Sequence, residues 1–364
     1  MATTINDARS ANDVRRTNYA CKANDSRRLN VARRANDSQR LNNMEEIRPN
    51  LFRCKIPLPD NPLKYLNAYI IKSDNRNLIV DTGFNRKECY DAMKEGLQAL
   101  DIDLNRTDFF ITHLHADHFG LVGRLVTDNS HLYFNRPEME LIETWEGFEP
   151  MIAFAGENGF PREDLRAALA AHPGNKFGTE WAPALEALSD GDTIEVGDYA
   201  FRCIETPGHT LGHTCLFEPS QKILISGDHI LVDITPTIQC WSDRENPLQN
   251  YLKSLDKVYA LDINMVLPGH RRLFSDHRRR IDELKQHHQD RLDEICSILG
   301  SGSPKHAYRV ASEMSWDIRC NNWDEFPIAQ KWFATGEAIA HLNYLQNSGR
   351  ISRTDVTDTI QYIL

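Results

Sequence analysis

The apolar residues of the chain fall into short runs, and most of these runs end at polar residues rich in histidine, aspartate and glycine. Runs of this length are typical of buried strands. We predict strands at 68–71, 77–80, 108–112, 193–196, 199–206, 223–226 and 265–267. Because α/β sheets build their sites in the loops that follow strands, the pattern predicts an α/β fold with a site at one edge.

Apolar residues spaced three and four positions apart predict helices elsewhere. Residues 86–100 carry one such stripe, and 119–190 are predicted to be mostly helical and rich in aromatic residues. These aromatic residues are expected in the core, with a lid over the site as the alternative. From about residue 275 the chain is again helical, and we expect His287, His288 and His306 at its surface.

The first 43 residues differ from the rest of the chain. They repeat Ala-Asn-Asp from Ala11, Ala23 and Ala35, and they show almost no apolar periodicity. Such a segment cannot bury enough apolar surface to fold. We interpret residues 1–43 as a disordered extension or a cloning leader, with Met44 as the natural start. The alternative is a basic arm that binds nucleic acid.

Composition narrows the class of protein. The chain has 364 residues, of which 41% are hydrophobic and 26% charged, as in soluble globular proteins, and no apolar run is long enough to span a membrane. The eight cysteines are scattered without a CxxC pair, which predicts reduced thiols in a cytoplasmic protein and disfavours a zinc-thiolate site. No feature indicates an oligomeric state.

Charge disfavours a polyanionic partner. The whole chain has a net charge of −10, and the first 43 residues contribute +5 to it, so the remainder carries −15. A net negative protein repels RNA and DNA at long range, and a small-molecule substrate is therefore the favoured partner.

One cluster carries the strongest chemical signal. Residues 113–118 read His-Leu-His-Ala-Asp-His and follow a predicted strand. Four side chains with imidazole or carboxylate donors within six residues suit a borderline metal ion such as Zn²⁺, Fe²⁺ or Mn²⁺. An affinity tag would be terminal and would not follow a strand, so a metal site is the favoured interpretation.

This cluster resembles the motif of the metallo-β-lactamase superfamily, and other motifs follow in that family's order over about residues 50–275. They are Asp81 after an early strand, His209 in Thr-Pro-Gly-His, Asp228 in Ser-Gly-Asp-His and His270 in Pro-Gly-His. The resemblance implies an α/β fold, a four-layer αβ/βα sandwich, with a small C-terminal helical domain.

The resemblance also implies a dinuclear metal site. His113, His115 and His209 would bind one ion and Asp117, His118 and His270 the other, with Asp228 bridging them. Two divalent ions are expected, zinc ahead of iron or manganese. A metal-bridging hydroxide would attack the substrate, and Asp117 would be catalytic by orienting it and moving its proton. Asp81 and His213 would support the ligands, and Arg271 is a candidate substrate contact.

The C-terminal part resembles a subgroup in which a winged-helix-like domain follows the sandwich. The resemblance is carried by Gly-Asp-His-Ile-Leu from residue 227 and by a predicted helix and turn at 336–351. The predicted domains are therefore 1–43, 44–275 and 276–364. One member of this subgroup is an endoribonuclease.

Fold and ligands do not fix the substrate. The leading hypothesis is hydrolysis of a small ester, thioester or lactone, as in glyoxalase II-like enzymes, which the Thr-Pro-Gly-His-Thr-Leu-Gly-His stretch at 206–213 favours. The first alternative is a metal-dependent endoribonuclease or phosphodiesterase. The second is an iron-dependent oxidoreductase similar to persulfide dioxygenases.

Overall fold

The computed structural model describes residues 43–145, 147–179, 184–243, 245–356 and 359–364. The predicted N-terminal extension, except for its last residue, and Trp181 lie outside these residues.

The first of two large sheets is built by the N-terminal half of the described chain. Its strands lie side by side in chain order: β1 (Met44–Arg48), β2 (Leu51–Pro57), β3 (Tyr65–Ile71), β4 (Asn77–Val80), β5 (Thr107–Phe110), β6 (Leu132–Asn135) and β7 (Glu186–Leu188). The strands from β1 to β4 pair antiparallel, and those from β4 to β7 pair parallel. The strands predicted at 68–71 and 77–80 are confirmed as the antiparallel pair β3–β4.

The second sheet follows in the chain. Its strands are β8 (Thr193–Val196), β9 (Tyr199–Glu205), β10 (Thr214–Glu218), β11 (Ile223–Gly227) and β12 (Met265–Pro268), also adjacent in chain order. Only the last pair, β11 with β12, is parallel, because a long helical crossover separates these two strands.

Helices cover the outer faces of the sheets and form most of the C-terminal part. They are α1 (Lys87–Ala99), α2 (Ala116–Phe119), α3 (Val122–Leu125), α4 (Arg136–Glu143), α5 (Glu149–Glu157), α6 (Arg162–Ala171), α7 (Pro173–Phe177), α8 (Pro247–Tyr259), α9 (His277–Leu299), α10 (Ala307–Glu313) and α11 (Ile328–Asn347), with a 3₁₀ turn at Leu104–Arg106. After α11, β13 (Ser352–Val356) and β14 (Thr359–Ile363) form an antiparallel hairpin.

Alternation along the strands divides the core into layers. Tyr69 of β3 and Phe201 of β9 belong to a cluster between the two sheets. Met93 of α1 packs in a second cluster on the outer face of the first sheet. Leu224 of β11 and Ile339 of α11 share a third on the outer face of the second. The order helix, sheet, sheet, helix confirms the predicted α/β sandwich.

One local prediction is incomplete and another is wrong. The region 119–190 is mostly helical as predicted, but β6 and β7 also lie within it and extend the parallel part of the first sheet. Strands of three or four residues are too short to show a period of two. His288 is not a surface residue: it is 1% exposed, because α11 covers this side of α9. The domain boundary after 275 and the winged-helix character stay predictions.

Candidate metal centre

The predicted metal ligands and Asp81 lie at one end of the sandwich, in segments that follow strands; Asp117 and His118 are in the short helix α2. Asp81 follows β4, residues 113–118 follow β5, His209 follows β9, Asp228 follows β11 and His270 follows β12. The first sheet thus supplies one half of the site and the second sheet the other half. The structure brings together the nitrogen and oxygen atoms of all seven predicted metal ligands in three overlapping groups.

Three histidines form the first group. The Nδ1 atom of His115 lies 3.0 Å from Nε2 of His113 and 3.1 Å from Nε2 of His209. Burial lowers the pKa of all three, that of His115 to about 3, and the neighbouring imidazoles act in the same direction on His113 and His115. The three rings are therefore neutral at pH 7, and each has a nitrogen lone pair available to a cation.

The other two groups share His118, and we treat them together as the second group, which contains carboxylates as well as imidazoles. Nε2 of His270 lies 3.3 Å from Asp117 Oδ2 and 3.4 Å from Asp228 Oδ2, and Nε2 of His118 lies 3.6 Å from Asp228 Oδ1. Burial opposes charge on His270, but Asp228 and Asp117 outweigh it and raise its pKa to about 10. Asp228 also lies 3.8 Å from His209 Nε2, so it stands between the two groups.

Several buried atoms here have no hydrogen-bond partner. They are Nε2 of His118, Nε2 of His270 and Oδ1 of Asp228, in residues that are at most 6% exposed. Buried polar atoms without partners are rare because each costs the free energy of losing water. All three atoms face the centre of the site, and imidazole nitrogen and carboxylate oxygen are the donors that zinc takes. The residues present therefore fit a divalent metal ion.

The outer nitrogen of each of three ligand rings is held by an oxygen. His118 Nδ1 lies 2.7 Å from Asp81 Oδ2, His209 Nδ1 lies 2.8 Å from the carbonyl of Thr237, and His270 Nδ1 lies 2.9 Å from the carbonyl of Tyr65. In each case Nδ1 donates, so Nε2 is the atom that faces the site. Such contacts fix the tautomer and orient the ring toward a metal.

Asp81 supports the site from the first sheet. Its backbone has a φ of +62°, a left-handed conformation that aspartate tolerates better than most residues. Its Oδ1 accepts the backbone N–H of Thr112 at 2.9 Å while Oδ2 accepts from His118. One carboxylate thus fixes both the start of the 113–118 loop and one of its rings.

His213 supports the site from the second sheet. Its Nε2 accepts the backbone N–H of Asp228 at 3.1 Å, so its Nδ1 carries the proton and donates to the Thr206 hydroxyl at 2.8 Å. Burial lowers the pKa of His213 well below its usual range, which keeps the ring neutral and Nε2 an acceptor. His213 is outside the three ligand groups.

Gly269 lets two ligand loops touch. A Cβ at this position would lie 2.5 Å from Asp228 Oδ1 and 2.8 Å from Cε1 of His118. No side chain fits at these distances without displacing a ligand.

Glu138, in the first turn of α4, is a functional candidate that the sequence did not reveal. It is 1% exposed, and its Oε1 accepts the backbone N–H of Gly212, in the loop that carries His209. Asn135, Glu138 and the Pro between them look like an ordinary helix start, and Asn135 does cap the helix by accepting the N–H of Glu138. This pattern explains Glu138 by its place at the start of the helix, so the sequence gives no sign of its contact with the loop.

Arg271 is placed differently from the ligands. It adopts a φ of +68°, and its guanidinium donates to the carbonyl of Pro62 at 3.2 Å. Its neighbour Arg272 pairs with Asp233 on the surface. A substrate contact by Arg271 stays a prediction. Among the described residues, none of the helices has the length and apolar character required to cross a membrane.

Two family models match the chain. The model described as metallo-beta-lactamase superfamily matches residues 63–270, which is more than half of the chain and includes every predicted ligand. The model described as metallo-beta-lactamase-like, C-terminal domain, matches residues 324–362, the region of α11 and the hairpin.

Individual proteins show the same similarity. The probable metallo-hydrolase YqjP of Bacillus subtilis is 25% identical over 261 residues, which are 68% of this chain and 79% of that protein. The acyl-coenzyme A thioesterase MBLAC2 of Bos taurus is 26% identical over 222 residues, 58% of this chain and 75% of that protein. The crystal structure of a metallo-beta-lactamase family protein from Thermus thermophilus superposes with a TM-score of 0.74 at 27% identity, covering 87% of this chain and 99% of that one.

Proposed function

The chain belongs to the metallo-beta-lactamase superfamily and is a metal-dependent hydrolase of that fold, and from this premise we propose that it hydrolyses thioesters at a dinuclear metal centre. The observation that carries the proposal is the pairing of a three-histidine group with a histidine–carboxylate group around Asp228. His113, His115 and His209 would hold one ion and Asp117, His118 and His270 the other. Bound divalent ions supply Lewis acidity and make a water molecule acidic enough to act as a nucleophile near pH 7.

Asp117 favours a substrate with a good leaving group. Burial opposes charge on its carboxylate, but His270 and His118 outweigh burial and lower its pKa to about 2. A carboxylate with this pKa carries almost no proton at pH 7, so it is a poor general acid. A thiolate, whose conjugate acid has a pKa of about 8.5, leaves without one, whereas an amine or an alkoxide needs a proton. Asp117 would instead orient the nucleophile as a hydrogen-bond acceptor.

Apolar side chains beside the site favour an acyl group. Leu211, in the loop between His209 and His213, is 42% exposed, and Leu141 in the last turn of α4 and Trp145 just after it are also exposed. The bond between Glu138 and Gly212 holds the first turn of α4 against the loop of Leu211. Exposed apolar residues next to a polar site are typical of a surface that receives an apolar part of the substrate. The bovine relative named as an acyl-coenzyme A thioesterase agrees with this substrate class.

The test is a substrate panel with the Zn²⁺-loaded protein. Acetyl- and octanoyl-coenzyme A would be compared with the matching oxygen esters, a lactone, a nitrophenyl phosphodiester and an RNA oligonucleotide. We expect thioesters to give the highest kcat/KM and Asp228→Ala to abolish their turnover. Faster cleavage of the phosphodiester or RNA, or oxygen uptake by an iron-loaded protein given a persulfide, would replace the proposal with one of the two alternatives.

A further inference from the structure

We propose that Glu138 is a positioning residue for the three-histidine group, holding its two loops together while leaving the second group to Asp81. This inference rests on the proposed dinuclear centre. The His118 ring of the second group keeps its own contact with Asp81, so loss of Glu138 should weaken the three-histidine group more than the second group.

The contacts of Glu138 lie on both loops that carry the three histidines. Its Oε1 accepts the N–H of Gly212 at 3.2 Å, three residues after His209. Burial raises the pKa of this carboxylate, and the backbone N–H of Leu114, which lies between His113 and His115, is among the donors that act against burial. One buried side chain on α4 therefore ties the loop after β5 to the loop after β9.

The loop that carries His209 packs closely against the start of α4. A Cβ on Gly212 would lie 1.7 Å from Asn135 Oδ1, so the loop passes directly against the start of α4. Asn135 uses this oxygen to accept the N–H of Glu138 at 2.9 Å, and its Nδ2 donates to Glu138 Oε2 at 3.3 Å. Asn135 thus accepts the backbone N–H of Glu138 at the N-terminus of α4, and the carboxylate of Glu138 is available to the loops.

The neighbours of Glu138 require acceptors. Gly212 N, Leu114 N and Asn135 Nδ2 are all donors, and a carboxylate is acceptor-only when ionised. A glutamine of the same shape would turn one acceptor into an NH₂ donor and would leave at least one N–H without a partner. An NH₂ group that faces one of these donors repels it and displaces the side chain from its contacts with the loops of His113, His115 and His209, whereas His118 keeps its contact with Asp81.

The experiment measures Zn²⁺ affinity by competition with a chromogenic chelator, with each group isolated. In a His270→Ala background the three-histidine group binds the remaining ion, and in a His113→Ala background the second group does. We expect Glu138→Gln to weaken Zn²⁺ binding by about 10-fold in the first background, the lower end of the effect of losing a direct outer partner of a ligand, because Glu138 holds the ligand loops and not the ligand rings. In the His113→Ala background we expect Glu138→Gln to change Zn²⁺ affinity by less than about threefold.

The matched control is Glu218→Gln. Glu218 is also buried and also accepts a backbone N–H, from Gln221 at 2.6 Å, but it lies at the far end of β10 from Thr214. The control substitution should leave Zn²⁺ affinity unchanged in both backgrounds. Glu138→Asp, which retracts the carboxylate by one methylene and keeps its charge, serves as a second variant if the glutamine protein does not fold.

The outcomes separate the two ideas. Equal weakening in both backgrounds, or weakening no greater than that of Glu218→Gln, would overturn the role of Glu138. If the unmodified protein takes up one Zn²⁺ rather than two, the dinuclear proposal fails, and Glu138→Gln then decides the inference on the single ion. A Co²⁺-loaded protein gives an independent readout, because its visible spectrum should change in the first background only.

Discussion

The buried pair His288 and His341 makes the fold sensitive to acid. His341 is fully buried and His288 is 1% exposed. His341 Nδ1 donates to the carbonyl of Glu337 at 2.8 Å, so its Nε2 is an acceptor, and His288 Nδ1 donates to it at 3.1 Å. This arrangement requires both rings to be neutral. Burial lowers the pKa of His341 to about 4 and that of His288 well below its usual range.

The direction of the pH effect follows from the lowered pKa. An unfolded histidine takes up a proton as the pH falls through about 6.5, whereas folded His341 resists protonation down to about pH 4. The unfolded state therefore gains protons first, and stability is lost as the pH falls below 6.5. Each pH unit costs about 1.4 kcal/mol per histidine, so His341 removes about 2 kcal/mol of stability between pH 6.5 and pH 5.

The perturbation is His341→Gln, whose side-chain oxygen can still accept from His288. We expect the variant to be somewhat less stable at pH 7, because packing and a hydrogen bond are altered. At pH 5 its disadvantage relative to the unmodified protein should shrink by about 2 kcal/mol, since glutamine does not titrate. Urea unfolding at pH 8, 7, 6 and 5 measures this, with no change of the difference expected between pH 8 and 7. Parallel curves for the two proteins down to pH 5 would refute the reasoning.

Further predictions concern the metal centre. Free Zn²⁺ at 100 times its Kd stabilises the folded protein by about 2.7 kcal/mol. Removing zinc with a chelator from such a sample should therefore lower the melting temperature by roughly 5 °C, which calorimetry measures. Asp228→Asn removes the negative charge shared by both groups, so the metal content by mass spectrometry should fall and turnover should be lost. Asp81→Asn should weaken metal binding at the second group about 10- to 100-fold, seen by chelator competition. Leu211→Ser should raise KM about fivefold for octanoyl-coenzyme A and leave KM for acetyl-coenzyme A unchanged, because about 1 kcal/mol of apolar contact is removed; equal changes for both substrates would contradict the acyl contact.

The central layers of the fold could be predicted from the sequence because their strands are short apolar runs that end at polar residues. Strand β11 is an example, since its five residues are all buried and it ends directly before Asp228. Strand β6 was missed because four residues, one of them only partly buried, show no clear period and lie among helices. The surface prediction for His288 failed for a different reason. Its burial depends on α11, whose His341 lies about fifty residues later in the chain.

The predicted ligands lie together because each motif pairs a metal-binding side chain with the end of a strand, and both are local in sequence. The supports of these ligands are less local. Asp81 and His213 were accessible from the family resemblance, but the carbonyls of Tyr65 and Thr237 carry no side-chain signal at all. Glu138 was inaccessible because Leu114 becomes its neighbour only when β5 pairs with β6, and Gly212 only when the two sheets pack together.

The division of the ligands between the sheets has a mechanical consequence. One group draws His113 and His115 from the first sheet and His209 from the second, and the other combines Asp117 and His118 with His270 in the same way. Any ion bound in either group is a crosslink across the interface of the sandwich. Such an ion would hold the two halves of the sandwich together, and neither sheet by itself supplies all three side chains of a group.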